Sequence, residues 1–415
     1  MTVRSTSCLH LSDGHLTNVN THDPNAHGDG RAPRRPQPAT GLDLNGDGTA
    51  TGVPALHVGG TPGDGHDAGP VLVTGGAGFV GTNVAARLAG TGRRVRVFDN
   101  LARTGVEDNL RWLTETYPDC IDVVTADVRD AAAVAAAVAD ASAVFHFAAQ
   151  VAVTTSLVDP REDFGSNLEG TLNVLEAARA RSTPPPILFT STNKVYGNLG
   201  DLAMEEGETR YAPADPETRA HGISERRPLD FHSPYGCSKG AADQYVLDYS
   251  RSYRLPATVF RMSCIYGPHQ FGTEDQGWVA HFLIRALQGE PITLFGDGKQ
   301  VRDILFVEDL VDAMLAAVRD IRQTSGRAFN IGGGAANAVS LVELLDQIGE
   351  LRGEPVDVSF DDWRQGDQRY YVADSRALQE AVGWAPRVGV EEGVRRLHDW
   401  LLAHHPALAT APATS

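Results

Sequence analysis

The chain has 415 residues, with 36 Lys plus Arg against 53 Asp plus Glu and a formal net charge of −17; such acidity repels phosphate backbones and argues against nucleic-acid binding by charge. Apolar residues make up 42%, enough for a sizeable core, which excludes fibrous and wholly disordered classes. No apolar run reaches about 18 residues, so no membrane span is expected, and Cys8, Cys120, Cys237 and Cys264 show neither close pairing nor metal-type spacing, which fits a reducing cytoplasm and no metal site.

Residues 1–68 are crowded with Gly, Pro, Thr, Asp and His and carry no sustained apolar periodicity. They are expected to be a disordered extension, because they cannot bury enough apolar surface to offset the entropy of ordering. No apolar stretch follows Met1-Thr2-Val3-Arg4 or Arg34-Arg35, so neither a secretory nor a twin-arginine signal is read there. Asp43-Leu44-Asn45-Gly46-Asp47-Gly48 resembles the start of a calcium loop, but Pro54 stands at the twelfth position, where a bidentate Glu belongs. His10, His15, His22, His27, His57 and His66 are too irregularly spaced for a metal site.

From residue 70 the pattern changes. Val71-Leu72-Val73-Thr74 runs into glycines, and a helical pattern continues to about Leu88. Strand-like runs follow at Val95–Phe98, Ile121–Thr125, Ala143–Phe147, Ile187–Thr190 and Ala257–Phe260, separated by helix-length segments. Alternation of this kind predicts an α/β fold: a doubly wound parallel (Rossmann) sheet over residues 69–262. After about residue 265 the alternation loosens, as for a smaller C-terminal α/β domain over 263–404 that returns some strands to the first sheet, with 405–415 a frayed tail.

Gly75, Gly78 and Gly81 lie between the first strand and the first helix. In a dinucleotide site the first glycine permits the tight turn, the second the approach of a pyrophosphate, and the third the packing of helix on strand. Asp99 ends the second strand 24 residues beyond Gly75, where a carboxylate accepts from both ribose hydroxyls and repels a 2′-phosphate. NAD rather than NADP is therefore expected, with Arg103 the feature pointing the other way. Asp127 ends the third strand and is placed to accept from an adenine amino group.

Ser233-Pro234-Tyr235-Gly236-Cys237-Ser238-Lys239 opens a long helix, with Ser233 as N-cap and Pro234 as first helical residue. Tyr235 and Lys239 then share a face. A phenol is a poor base at neutral pH, but a helix N-terminus and a neighbouring ammonium both favour phenolate and are expected to lower its pKa. Tyr235 is thus a candidate base for a sugar hydroxyl. His146 reads as a packed core histidine. His232 reads equally as a pocket-lining and a capping residue, and Trp278 as pocket wall or core.

The glycine turn, Tyr235 with Lys239, Thr190-Ser191-Thr192-Asn193-Lys194-Val195-Tyr196-Gly197 and Arg302-Asp303 resemble the extended short-chain dehydrogenase/reductases acting on nucleotide sugars, over about residues 70–400. Gln150-Val151-Ala152 through Thr154-Thr155-Ser156, Leu229 through Tyr245, and Asp275-Gln276-Gly277-Trp278-Val279 resemble more closely that family's CDP-tyvelose (CDP-paratose) 2-epimerase branch. The resemblance implies that residues 263–404 mainly bind the nucleotide sugar. It implies Thr192, Tyr235 and Lys239 as catalytic residues, with Thr192 bridging substrate and Tyr235. It places Gly75, Gly78, Phe79, Val80, Gly81, Asp99, Asn100, Asp127, Val128, Ala148, Ala149, Gln150, Asn167, Tyr235 and Lys239 around NAD. It places Gln150, Thr192, Asn193, Lys194, Arg302 and Arg369 around the substrate, the two arginines suiting a diphosphate by their planar forks. Cys264 departs from the polar residue expected beside the nicotinamide.

Sugar 4,6-dehydratases of this family carry Asp-Glu where Asn193-Lys194 stand; an amide cannot be the acid, nor an ammonium the carboxylate. The expectation is a cytoplasmic NAD-dependent isomerase with NAD tightly bound and regenerated each turnover, and the resemblance implies inversion at C2 of a CDP-hexose such as CDP-paratose. It is expected to be a homodimer or homotetramer pairing the helices of Tyr235–Arg251 and Asp163–Arg181. The rivals are a nucleotide-sugar 4-epimerase, a 4,6-dehydratase, and an NAD-binding scaffold without turnover.

Overall fold

The computed structural model describes residues 69–364 and 367–404; the expected extension at 1–68 and tail at 405–415 lie outside the described residues. In chain order the strands are β1 (Val71–Thr74), β2 (Val95–Asp99), β3 (Ile121–Thr125), β4 (Ala143–His146), β5 (Ile187–Thr192), β6 (Met204–Glu206), β7 (Tyr211–Pro213), β8 (Ala257–Met262), β9 (Cys264–Tyr266), β10 (Ile292–Phe295), β11 (Val301–Phe306), β12 (Ala328–Ile331), β13 (Ala338–Ser340), β14 (Val358–Asp361) and β15 (Tyr370–Tyr371).

Seven of these form one parallel sheet in the order β12-β8-β5-β4-β1-β2-β3. The chain winds outward from β1 to β3 and then crosses back to β4, so the order reverses beside β1. A crevice opens at such a switch point, at the carboxyl ends of the strands. Neighbouring residues of β1 face opposite sides. Val71 and Val73 join Val84, Leu88, Leu310 and Met314 in one apolar cluster, while Leu72 joins Val134, Val174, Ala242 and Val246 in another. Burial on both faces is why these strands read as unbroken apolar runs.

The remaining strands build smaller sheets around β11. Its first half pairs with β13 and β15, and its second half, Ile304–Phe306, pairs with β9. β10 lies beside β14, and β6 with β7 makes a hairpin. A third apolar cluster, including Phe282, Leu294, Ile304, Leu344 and Leu397, packs this part.

A buried polar network ties β8 to the helix Ser233–Tyr253. The guanidinium of Arg261 donates to both oxygens of Asp243 at 2.8 and 2.9 Å and to Tyr196 Oη at 3.0 Å. Tyr196 in turn donates to Asn330 Oδ1 at 2.8 Å. Full pairing is what makes an enclosed charge tolerable. Among the described residues no helix is long and apolar enough to cross a membrane.

Candidate active site

The cavity is assembled from strand ends. Gly75 follows β1 with φ +66°, a region that disfavours side chains, and a Cβ there would sit 2.7 Å from the backbone nitrogen of Ala148. A Cβ on Gly81 would meet the carbonyl oxygen of Gly75 at 2.2 Å, so the helix Phe79–Ala89 approaches the turn closely only because this residue is glycine. That helix begins at Gly78 without a side-chain cap, leaving first-turn N–H groups for an anion.

Asp99 closes the turn from β2. One carboxylate oxygen accepts from Ala77 N–H at 3.1 Å and the other from Leu101 N–H at 2.9 Å. Burial raises its pKa against these donors and the nearby Arg103. At the next strand, Asp127 accepts from Arg129 at 2.7 Å and from Asn100 Nδ2 at 2.9 Å, and Arg129 holds its carboxyl well below the usual range. Its oxygens are thus engaged by protein donors.

Behind the turn, His146 of β4 is fully enclosed, and burial pushes its pKa down to about 3. Donor bookkeeping fixes its tautomer. Thr171 Oγ1 donates to Asn167 O at 2.6 Å and therefore accepts from His146 Nε2–H at 3.0 Å. Nδ1 then accepts from Thr74 Oγ1 at 2.7 Å, and Thr74 accepts from Ala148 N–H. His146 is a core histidine that locks the 74–75 and 147–148 segments together.

Tyr235 and Lys239 enter on the helix Ser233–Tyr253. His232 precedes the helix without a side-chain cap, while Ser233, at φ +62°, accepts from Gly236 N–H through Oγ at 3.3 Å. The hydroxyl of Ser156 receives Tyr235 N–H at 3.2 Å, and Thr192, at the end of β5, hydrogen-bonds the phenol. The expected lowering of the phenol's pKa is not found. Burial pushes Tyr235 up to about 12, with Thr192 and Arg103 opposing. Burial also pushes Lys239 down to about 7, against Asp243 and Asp163, with its ammonium 4.3 Å from the centre of the Phe189 ring. Asp163 is itself buried and receives Ser238 Oγ at 2.5 Å and Asn167 Nδ2 at 3.1 Å. The sequence reading weighed the helix end and the ammonium but not desolvation, which dominates both groups.

A second cluster lies across the cavity. Arg302 of β11 donates to Asp367 at 2.6 Å, and Lys194 lies 3.8 Å from the same carboxylate. These two cations hold Asp367 below its usual pKa, and burial lowers that of Lys194. Asn193 Nδ2 donates to Gln368 Oε1 at 3.3 Å. Cys264 stands nearby with its thiol pushed up by burial.

Gly75, Gly78, Phe79, Val80, Gly81, Ala149, Thr192, Asn193, Lys194, Tyr235, Lys239 and Arg302 line one cavity of about 940 Å³, as do His232 and Trp278. Asp99, Asn100, Asp127, Val128, Ala148, Gln150, Asn167 and Arg369 are not among its lining residues. Gln150 bonds back to Ala152, Val128 packs against Gly170, and Asn167 stays inside with its Oδ1 unpartnered. Arg369 is exposed, its guanidinium 5.3 and 5.9 Å from the Tyr211 and Trp363 ring centres. Arg103 and Arg364 line the cavity beside Arg302; sequence reasoning missed Arg364 as a cavity residue, together with Ser156, Asp163 and Asp367.

The glycine turn, the uncapped helix start and the Asp99 carboxylate fit a dinucleotide: hydrogen-bond donors for a pyrophosphate beside an acceptor for ribose hydroxyls. Among the described residues no group of three or more His, Cys, Asp or Glu could hold a metal ion.

Residues 71–332 match the NAD dependent epimerase/dehydratase family. The chain is 42% identical over 339 residues to CDP-paratose 2-epimerase of Salmonella typhi, covering 80% of this chain and 98% of that protein. It is 32% identical over 352 residues to dTDP-glucose 4,6-dehydratase of Xanthomonas campestris, covering 80% and 93%. Among solved structures it resembles Thermus thermophilus UDP-glucose 4-epimerase in complex with NAD, with a TM-score of 0.67, 33% identity and coverage of 81% and 99%.

Proposed function

The chain belongs to the NAD-dependent epimerase/dehydratase family, and from that premise we propose that it is a nucleotide-sugar epimerase, an isomerase inverting C2 of a CDP-hexose such as CDP-paratose. The observation that carries this reading is the meeting of Tyr235, Thr192 and Lys239 over one cavity, with an amide and an ammonium at 193 and 194 in place of carboxyl groups. Similarity to CDP-paratose 2-epimerase supports the carbon and the nucleotide.

When bound over the Gly75–Gly81 turn, NAD supplies a hydride acceptor that returns the hydride within the same turnover and is regenerated, so it is expected to stay tightly bound. The residues of the chain handle the proton. Thr192 and Tyr235 receive the sugar hydroxyl; Tyr235 reacts as the phenolate, takes that proton to become the neutral phenol, and gives it back after the ketone has presented its other face. The Lys239 ammonium, with Arg103, which lowers the phenol's pKa against its burial, favours the phenolate that must be present before that exchange. Arg302 and Arg364 take the substrate diphosphate, with Arg364 replacing Arg369 as the second clamp.

A 4,6-dehydratase needs an acid and a base beside Thr192. Asp367, the carboxylate beside Lys194, is held ionised between Arg302 and Lys194. Phe164, on the helix Pro160–Phe164, and Tyr245 and Tyr253, on the helix Ser233–Tyr253, are exposed, which supports a homodimer paired through these helices.

Proton NMR of the holoenzyme with CDP-paratose and CDP-glucose in deuterated water tests the reading. Inversion at C2 without solvent deuterium in the sugar is expected, slowed at least about 10²-fold in Tyr235→Phe. A 4-keto-6-deoxy product overturns it.

A further inference from the structure

Of segment 273–276, only Asp275 and Gln276 belong to the run that carries the resemblance, and the chemistry above uses none of it. It forms a tight hairpin tip. Thr273 N–H donates to Gln276 O at 2.8 Å, and Gln276 N–H returns the bond at 3.2 Å. The tip spans the cavity from both sides. Gln276 Nε2 donates to Val151 O at 2.7 Å on the dinucleotide side. On the other side Arg364 donates to Glu274 O at 3.2 Å and pairs with the side chains of Glu274 and of Asp275, the latter at 3.3 Å. The Arg364 guanidinium lies 3.8 Å above the centre of the Phe295 ring. Glu274, Asp275, Phe295 and Arg364 all line the cavity that holds Arg302.

Arg364 is therefore a cavity arginine whose fork is filled by two carboxylates of its own chain. A diphosphate presents the same planar, bidentate target with more charge. The internal pairs are half-exposed, Arg364 at 31%, Glu274 at 54% and Asp275 at 45%, and such pairs are weak enough to exchange.

We propose that Glu274 and Asp275 are built-in competitors for the substrate diphosphate, holding Arg364 in an ion pair that the nucleotide replaces on entry and that re-forms on release. The hairpin tip thus sets nucleotide affinity and residence time. Once Arg364 turns to the diphosphate, the two carboxylates face like charge, while the Gln276–Val151 bond still tethers the tip. The proposal rests on the nucleotide-sugar reading above and adds to it a determinant of affinity outside the reacting groups.

The test is calorimetric titration of the holoenzyme with CDP, UDP and ADP. It compares wild type, Glu274→Gln/Asp275→Asn, Arg364→Ala and the triple variant, with stopped-flow dissociation of the nucleotide that binds best. The double variant is expected to bind about three- to tenfold more tightly, the range set by two half-exposed ion pairs, and to release more slowly. In the Arg364→Ala background the same pair of changes is expected to leave affinity unchanged, because the shared partner is gone. Unaltered or weaker binding in the double variant overturns the proposal, and so does a gain that persists without Arg364. Absence of binding by any nucleoside diphosphate to wild type overturns the nucleotide-sugar reading itself.

Discussion

Lys239→Met separates what the lysine does for the reaction from what it costs the fold. The side chain is 3% exposed, and burial moves its pKa from 10.5 down to about 7. The attraction of Asp163 and Asp243 is already contained in that net value. The unfolded chain holds this proton more firmly than the folded one, so the charge opposes folding at low pH. The penalty fades as pH rises from about 7 towards 10.5. At pH 7 a group with these two values costs about 4 kcal/mol relative to an uncharged isostere, and Met has nearly the same length. Lys239→Met is therefore expected to be more stable than wild type at pH 7 by about that amount. The gap should narrow by about 3 kcal/mol by about pH 9.5, while turnover falls at least about 10²-fold. Urea unfolding after removal of the dinucleotide measures the difference, since bound ligand would add its own stabilisation. A variant no more stable at pH 7, or a difference flat with pH, would refute the reasoning.

Asp243→Asn leaves Arg261 enclosed with half its partner. It is expected to lose about 3–5 kcal/mol in thermal or urea unfolding, and, although neither residue lines the cavity, to lower turnover near neutral pH as well, because the Asp243 charge helps to keep Lys239 protonated. Asp99→Asn keeps one oxygen acceptor for Ala77 or Leu101 but loses the charge that excludes a 2′-phosphate. Purified variant should carry less NAD, measured by its dinucleotide content after denaturation, and should exchange more readily with NADP.

Most of the main sheet was legible because its central strands, buried on both faces, leave unbroken apolar runs, while the half-exposed edge strand Ile121–Thr125 was still matched to the residue. The ends of β5 and β8 were shortened, since Ser191-Thr192 and Arg261-Met262 look like loop yet are extended and engaged by neighbours. The glycine turn was readable because its backbone geometry depends on the residue type itself, as the clash at Gly81 shows. Asp163 was not readable: in sequence it is one acid in Pro160-Arg161-Glu162-Asp163-Phe164, and only packing against Ser238 and Asn167 separates it from its solvated neighbour Glu162. Arg364 and Arg369 are alike in sequence, five residues apart in one loop. The chain path past Phe295 brings the first into the cavity and leaves the second against Tyr211 and Trp363. The phenol of Tyr235 was misread in sign because its neighbours could be counted from the sequence, whereas its desolvation could not.

The central claim is that one hydride leaves and returns at C2 within a single active site. The most direct measurement is the fate of deuterium placed at C2 of CDP-paratose, followed by NMR in ordinary water with the purified holoenzyme and no added dinucleotide. The account predicts that product carries the deuterium at C2 in the inverted configuration. Product formed with hydrogen from water at C2 would contradict it, because proton abstraction from carbon would then have replaced hydride transfer.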